Sequence, residues 1–291
     1  MKGTLYKTLY KYKYYLLIFI LILLYVYYFR IQSEGFQGKD INKTIWLLWL
    51  QGWDSAPWLA QQVKTSWEVK NPGWTVNLVT HDNLKNYVTG IDYVYRDSIS
   101  PQAKSDIIRL ALLNKYGGVW ADATLLCMKP LDSWLEDAIQ PSGFWMYHGT
   151  GGKMDINHGP ASWFIVSVAG SPIIRKWKQG CDDYWKVRQS TGDYFWMDGI
   201  FKNLYETDTQ FKDEWDRVPY LSCEDKGQAH MFAEGSWKEN TKEIKELLDE
   251  SPPHVLKLWH NRWTEEFPDV TSERCRESNG YYAIQIAISE E

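Results

Sequence analysis

Over residues 44–50 the chain reads TIWLLWL, with no charge and a single hydroxyl, the composition of a strand buried on both faces of a sheet. Gln51 and Gly52 end that run. Ser55 and Pro57 then open a helical pattern that continues to Lys70, where Asn71-Pro72-Gly73 breaks it. Alternation over 75–80 predicts a second strand, so the segment 44–80 is a βαβ unit. His81 and Asp82 follow it, and two readings stay open there: a nucleotide contact at a strand end, or a plain helix cap by Asp82.

The next pattern is the most informative. Ser100-Pro101 is a helix entry, and Ile107, Leu110, Ala111 and Asn114 recur at i, i+3, i+4 and i+7. Ile108, Leu112 and Leu113 widen that stripe into the all-round apolarity of a buried helix ending near Lys115. Gly117 and Gly118 stop it, and Val119, Trp120 and Ala121 form a short buried strand. Asp122 thereby falls at the carboxyl end of a strand, where open α/β sheets place their ligand crevice. Further on, the pattern predicts a strand over 161–168, a helix opened by Ser171-Pro172, a helix over 193–205 carrying Asp198, and an amphipathic helix over 242–249. The stretch HVLKLWHNRW, 254–263, reads as a strand running into a loop that carries Lys257, His260 and Arg262, and 281–288 reads as a final strand.

The N-terminus differs in kind. Lys2, Lys7, Lys11 and Lys13 precede an uncharged aromatic and aliphatic run over 14–29 that Arg30 closes. At about 1.5 Å per residue that run spans roughly 24 Å, short of a hydrocarbon core of about 30 Å, but its terminal tyrosines and the flanking cations can reach the interfaces. The expected organisation is a cytoplasmic tail over 1–13, a transmembrane signal anchor over 14–30, a stem over 31–40 and a catalytic domain over 41–291. The lysine asymmetry makes this a single-pass type II membrane protein with its bulk on the far side. A cleaved signal peptide ending near Ser33-Glu34-Gly35 is the competing reading.

Composition changes the picture in three places. With 44% hydrophobic and 24% charged residues the chain is globular, and a net charge of −5 leaves no basic footprint for nucleic acid. Seventeen tryptophans exceed ordinary usage, and an indole face suits the C–H face of a sugar ring, although core packing claims most of them. Cys127, Cys181, Cys223 and Cys275 lack paired-ligand spacing with histidine, which argues against a zinc finger while leaving a disulfide open. His148 and His230 have no partner in sequence and read as surface or core residues.

Taken as a set, 44–58, the helix and acid around Asp122, KPLD at 129–132, SWFIVS at 162–167 and DYFWMDGIF at 193–201 resemble the capsular polysaccharide synthesis glycosyltransferases. These are relatives of α-mannosyltransferases with an Asp-x-Asp motif. The resemblance implies an α/β, GT-A-like (Rossmann-like) nucleotide-sugar transferase domain with a mostly parallel central sheet. It further implies a nucleotide-sugar donor, a saccharide acceptor, Mn²⁺ or Mg²⁺, and retention of anomeric configuration. Here the motif reads Asp122-Ala123-Thr124, so the second acid is missing. Asp122 is the expected catalytic and metal residue, with His260 as the second metal ligand and a turn cap as the bland alternative. Donor contacts are expected from Trp49, Gln51, Gly52, Asp106, Arg109 and Lys257, although Asp106 and Arg109 also stand at the spacing of a simple mutual ion pair. Asp198, Trp163 and His158 are expected on the acceptor side. Loss of the second acid also admits a non-catalytic carbohydrate-binding relative.

Overall fold

The computed structural model describes residues 13, 15, 18–25, 41–149, 160–190 and 192–289. His158 and most of the expected tail, anchor and stem lie outside them. The chain divides into two compact units, Met1–Gly38 and Lys39–Glu291. In the first, Lys13, Tyr15 and 18–25 are helical, and Ile18 to Tyr25 are exposed apolar side chains. Among the described residues no helix is long and apolar enough to cross a membrane.

The second unit is built on a five-stranded sheet. Strand β1 (Thr44–Leu48), helix α1 (Trp58–Lys70) and strand β2 (Thr75–Val79) form the βαβ unit, with Thr44 to Leu48 paired in parallel to Thr75 to Val79. Helix α2 (Pro101–Tyr116) leads to β3 (Gly118–Ala121), which pairs in parallel with β1 through Ile45↔Val119 and Trp46↔Trp120. After β4 (Leu125–Cys127) come β5 (Phe144–His148) and β6 (Pro160–Ser167), giving the order β2-β1-β3-β6-β5. β6 is antiparallel to both of its neighbours, so it alone runs against the other strands of this sheet. Helices α3 (Pro172–Val187), α4 (Trp196–Thr207), α5 (Thr209–Arg217) and α6 (Lys242–Glu250) precede β7 (Val255–Lys257), followed by α7 (His260–Glu266) and α8 (Asn279–Ile288). β7 pairs antiparallel with β4, setting Lys257 opposite Leu125.

Local chemistry explains how α2 and β3 present Asp122. Ser100 Oγ accepts from the Ala103 amide at 3.2 Å, Pro101 occupies the first turn, and Ile107 to Leu113 are all buried. Gly117 and Gly118 then turn at φ 67° and 92°. A β-carbon at Gly117 would stand 2.6 Å from the Ala169 nitrogen, and one at Gly118 would stand 2.4 Å from the Thr44 carbonyl oxygen. The turn is therefore clamped between the end of β6 and the start of β1, which only glycine permits. Around it, Trp46, Trp67 and Trp120 are core, with Trp46 Nε1 donating to the Gly117 carbonyl at 2.9 Å and Trp67 Nε1 to that of Leu125 at 2.8 Å.

Three sequence expectations require correction. Residues 281–288 belong to a helix, α8, capped by Ser278 accepting from the Tyr281 amide at 3.1 Å. Its buried positions Gly280, Ala283, Ile284 and Ala287 follow the helical i, i+3, i+4, i+7 spacing, which the adjacent aromatic and β-branched residues mask. The expected loop after β7 is helix α7, and it opens at His260. Helix α4 starts at Trp196, because Asp193 accepts from the Phe195 amide at 3.1 Å in a turn ahead of it.

Candidate active site

A cleft of about 760 Å³ opens at the carboxyl ends of β1 and β3. Trp49 and Gln51, just past β1, form one part of its lining, and Asp106 and Arg109 on α2 another. Trp120, Asp122 and Thr124 contribute from β3 and its exit, Trp163 from β6, Asp198 from α4, and Lys257 with His260 from β7 and α7. The structure thus gathers all these sequence-predicted residues on one cavity. Gly52 is not among its lining residues; at φ 98° it turns the chain, its amide donating to the Trp49 carbonyl at 3.1 Å. His81 and Asp82 are also absent from the lining, in a turn closed by Thr80 and Asn83.

Asp122 is held from both ends of its carboxylate. Its amide donates to the Trp163 carbonyl at 2.9 Å, tying the loop to β6. Lys257 Nζ donates to Oδ2 at 2.8 Å, while Oδ1 accepts from Trp120 Nε1 at 3.1 Å and from Arg109 Nη2 at 3.4 Å. Burial alone would raise this carboxyl, but Lys257 and then Arg109 outweigh it and hold Asp122 below the usual carboxylate range. The side chain keeps 26% exposure toward the cleft, against 10% for Lys257 and 6% for Arg109.

Arg109 is the positional anchor of this cluster. Its Nη1 donates to the Ser162 carbonyl at 2.7 Å and to Ser162 Oγ at 3.0 Å. Its Nη2 donates to Ser105 Oγ at 3.0 Å and lies 3.1 Å from Asp106 Oδ1, so the mutual ion pair of Asp106 and Arg109 exists and extends to Asp122. The guanidinium also lies over the Trp120 ring, 5.2 Å from its centroid. Burial pushes Asp106 up to about 6 against the pull of Arg109, and burial with the charge of Asp106 pushes Asp198 up to about 7.

Sequence reasoning missed Cys223, Glu224 and His230 in the same wall. Their ligand-bearing atoms lie within 4.8 Å of one another, with Cys223 Sγ and His230 Nδ1 3.6 Å apart. His230 therefore has a partner that the sequence did not reveal, and its ring lies 5.2 Å from Trp163 and 5.4 Å from Trp259. The 223–230 spacing matches no metal motif, so no signal marked it in advance. Burial pushes the Cys223 thiol up to about 12, and burial with the charge of Lys257 pushes His230 down to about 4.

A divalent cation at Asp122 is what the Asp-x-Asp resemblance implies, and the residues present do not fit one. Hard cations take several oxygen ligands; here a single carboxylate is already engaged at both oxygens by Lys257, Arg109 and Trp120. His260 is not among the partners of Asp122 and instead sets its ring edge-on to Trp49 at 5.9 Å. Lys257 would stand inside the same coordination shell and repel the ion.

Parts of the chain are similar in sequence to known proteins. An O-glycosyltransferase, braB, of Annulohypoxylon truncatum is 26% identical over 50% of this chain and 38% of its own length. The initiation-specific alpha-1,6-mannosyltransferase of Candida albicans is 27% identical over 35% of this chain and 29% of its own length. The chain thus spans less than two fifths of either relative. Among solved structures, the PaToxG glycosyltransferase aligns with a TM-score of 0.45 and 12% identity over 91% of this chain and 94% of that one. The profile of the family described as capsular polysaccharide synthesis protein matches residues 10–269, and the chain belongs to that family.

Proposed function

We propose that this protein is a glycosyltransferase with a GT-A-like domain, moving a hexosyl group from a nucleotide-diphospho-sugar to a saccharide acceptor with retention of configuration. The observation that carries the reading is the Lys257–Asp122–Arg109 cluster at the carboxyl end of β3, in a cleft walled by Trp49, Trp120, Trp163 and Trp259. That position suits the diphosphate of a donor, and the indoles suit a nucleobase and sugar rings. Trp49 and Gln51 take the nucleoside end, Lys257 and Arg109 the diphosphate, and Asp106 the donor sugar. Trp163 and Asp198 take the acceptor, with Asp198 poised near neutrality to receive a hydrogen bond or a proton from its hydroxyl.

The apolar run over 14–29 supports an anchor that tethers the domain at a membrane, in an endoplasmic reticulum or Golgi lumen of a eukaryotic cell or otherwise at the cell membrane. The test is hydrolysis and transfer measured over a panel of nucleotide-sugars, with Asp122→Asn as control. At least one donor should turn over, and Asp122→Asn should lower that rate at least about 100-fold, the scale of losing a preorganised charge at the reacting group. Turnover unchanged in Asp122→Asn defeats the assignment of this site. Donor binding with no turnover anywhere in the panel would point instead to a carbohydrate-binding relative.

A further inference from the structure

We infer that the donor diphosphate is borne by the chain's own cations, Lys257 and Arg109 pivoting on Asp122, so that transfer proceeds without a bound divalent metal. The inference rests on the nucleotide-sugar reading above. Its first support is charge. A site that recruits a metal presents excess negative charge, as two neighbouring carboxylates do. Here Asp122 is matched by Lys257 at 2.8 Å and shares Arg109, at 3.4 Å, with Asp106 at 3.1 Å, so two acids face two cations and the cluster has no excess negative charge. The Lys257 ammonium, already seated on the Asp122 carboxylate, attracts a diphosphate directly and repels a divalent ion from the same oxygens. Thr124, standing where the second acid of the motif would, adds no negative charge to the cluster.

The second support is how Lys257 is built in. Pairing of β7 with β4 sets it opposite Leu125, three residues past Asp122, and its amide donates to the Ala229 carbonyl at 2.9 Å. Its ammonium also lies 5.7 Å from the Trp163 ring centroid. Of its three N–H donors, Asp122 takes one, which leaves two for phosphate oxygens. Arg109 turns its Nη donors to Ser105, Ser162, Asp106 and Asp122 and has a buried Nε with no partner among the described residues, so it acts on the diphosphate as a fixed charge behind Asp122. Asp122 in this arrangement aims the lysine and does not ligate an ion.

The step balances without a metal. The bond between the anomeric carbon and the donor's phosphate oxygen breaks, and its electron pair stays on the departing nucleoside diphosphate. The acceptor hydroxyl oxygen forms the new bond to that carbon, and its proton passes to the leaving phosphate or to Asp198. The extra negative charge on the diphosphate develops beside the Lys257 ammonium.

Calorimetric titration of the full-length protein in detergent with UDP, GDP, CDP and ADP, each in excess EDTA and again in Mn²⁺, tests this. At least one diphosphate should bind in EDTA within about threefold of its affinity in Mn²⁺. Lys257→Ala should weaken that binding in EDTA about tenfold or more, the scale of a lost charge-assisted hydrogen bond, while the matching monophosphate loses little. Lys257→Arg, which keeps the charge, should retain most of the affinity and also shows whether the alanine variant failed merely through misfolding. Mn²⁺ should restore part of the binding to Lys257→Ala, whose Asp122 has lost its closest cation. Binding that appears only in Mn²⁺ overturns the inference and leaves the donor reading standing. Binding in neither buffer, for all four nucleotides, overturns both.

Discussion

Two carboxyls facing one cleft, Asp106 and Asp198, keep their protons to a higher pH than ordinary carboxylates do. Their folded values, about 6 and about 7, lie above the ordinary aspartate value. The folded state therefore binds more protons than the unfolded one between about pH 4 and 7, and stability falls as pH rises through that window. Asp198→Asn removes one of these groups. Its melting temperature should match that of wild type near pH 4 and exceed it by pH 7.5, and a constant difference across that range would remove Asp198 from the account. The residue types of this site were legible because the α2 pattern and the double glycine fixed where Asp122 had to fall. The alliance of Asp122 with Lys257 was not legible, since 135 residues separate them and it takes the tertiary pairing of β4 with β7 to bring them together.

Among the elements, the junction of α2 with β3 is the least tolerant. Gly118→Ala combines a φ of 92° with a β-carbon 2.4 Å from the Thr44 carbonyl oxygen, so β1 and β3 must part at their start. A loss of about 2–4 kcal/mol is expected, on the scale of strained backbone plus overpacking, and urea unfolding of the 41–291 domain measures it. A midpoint within error of wild type would show that the sheet absorbs the extra carbon. Strong helical or strand periodicity marked β1, α1, β2, α2 and β3 in the sequence. α8 was mistaken for a strand because Tyr281, Tyr282 and the isoleucines have strand propensity, while the small residues that seat it, Gly280, Ala283 and Ala287, carry little signal. Packing decides that helix: a β-carbon at Gly280 would meet Trp263 at 2.8 Å.

For the molecule as a whole, the N-terminal run over 14–29 and the domain from Lys39 onward make separate demands. The full chain should stay with membranes through alkaline carbonate washing, and a 41–291 fragment should be recovered soluble with unchanged nucleotide affinity. Release of the full chain by carbonate would remove the anchor from the account. The cleft is also a property of the whole domain, since its walls come from both halves of the sequence, and this is why no single motif revealed it.

The four cysteines have a consequence for where this domain can be made. All are free thiols, buried to 2% exposure or less, and burial pushes Cys127 and Cys223 up to about 12 and Cys275 up to about 11. Oxidants and disulfide exchange act on the thiolate, so a fold that withholds both access and ionisation is indifferent to the redox state of its surroundings. Dithiothreitol should leave the melting temperature of the domain unchanged, and active protein should form as readily in a reducing cytosol as in an oxidising lumen. A drop of several degrees on reduction would reveal a disulfide instead.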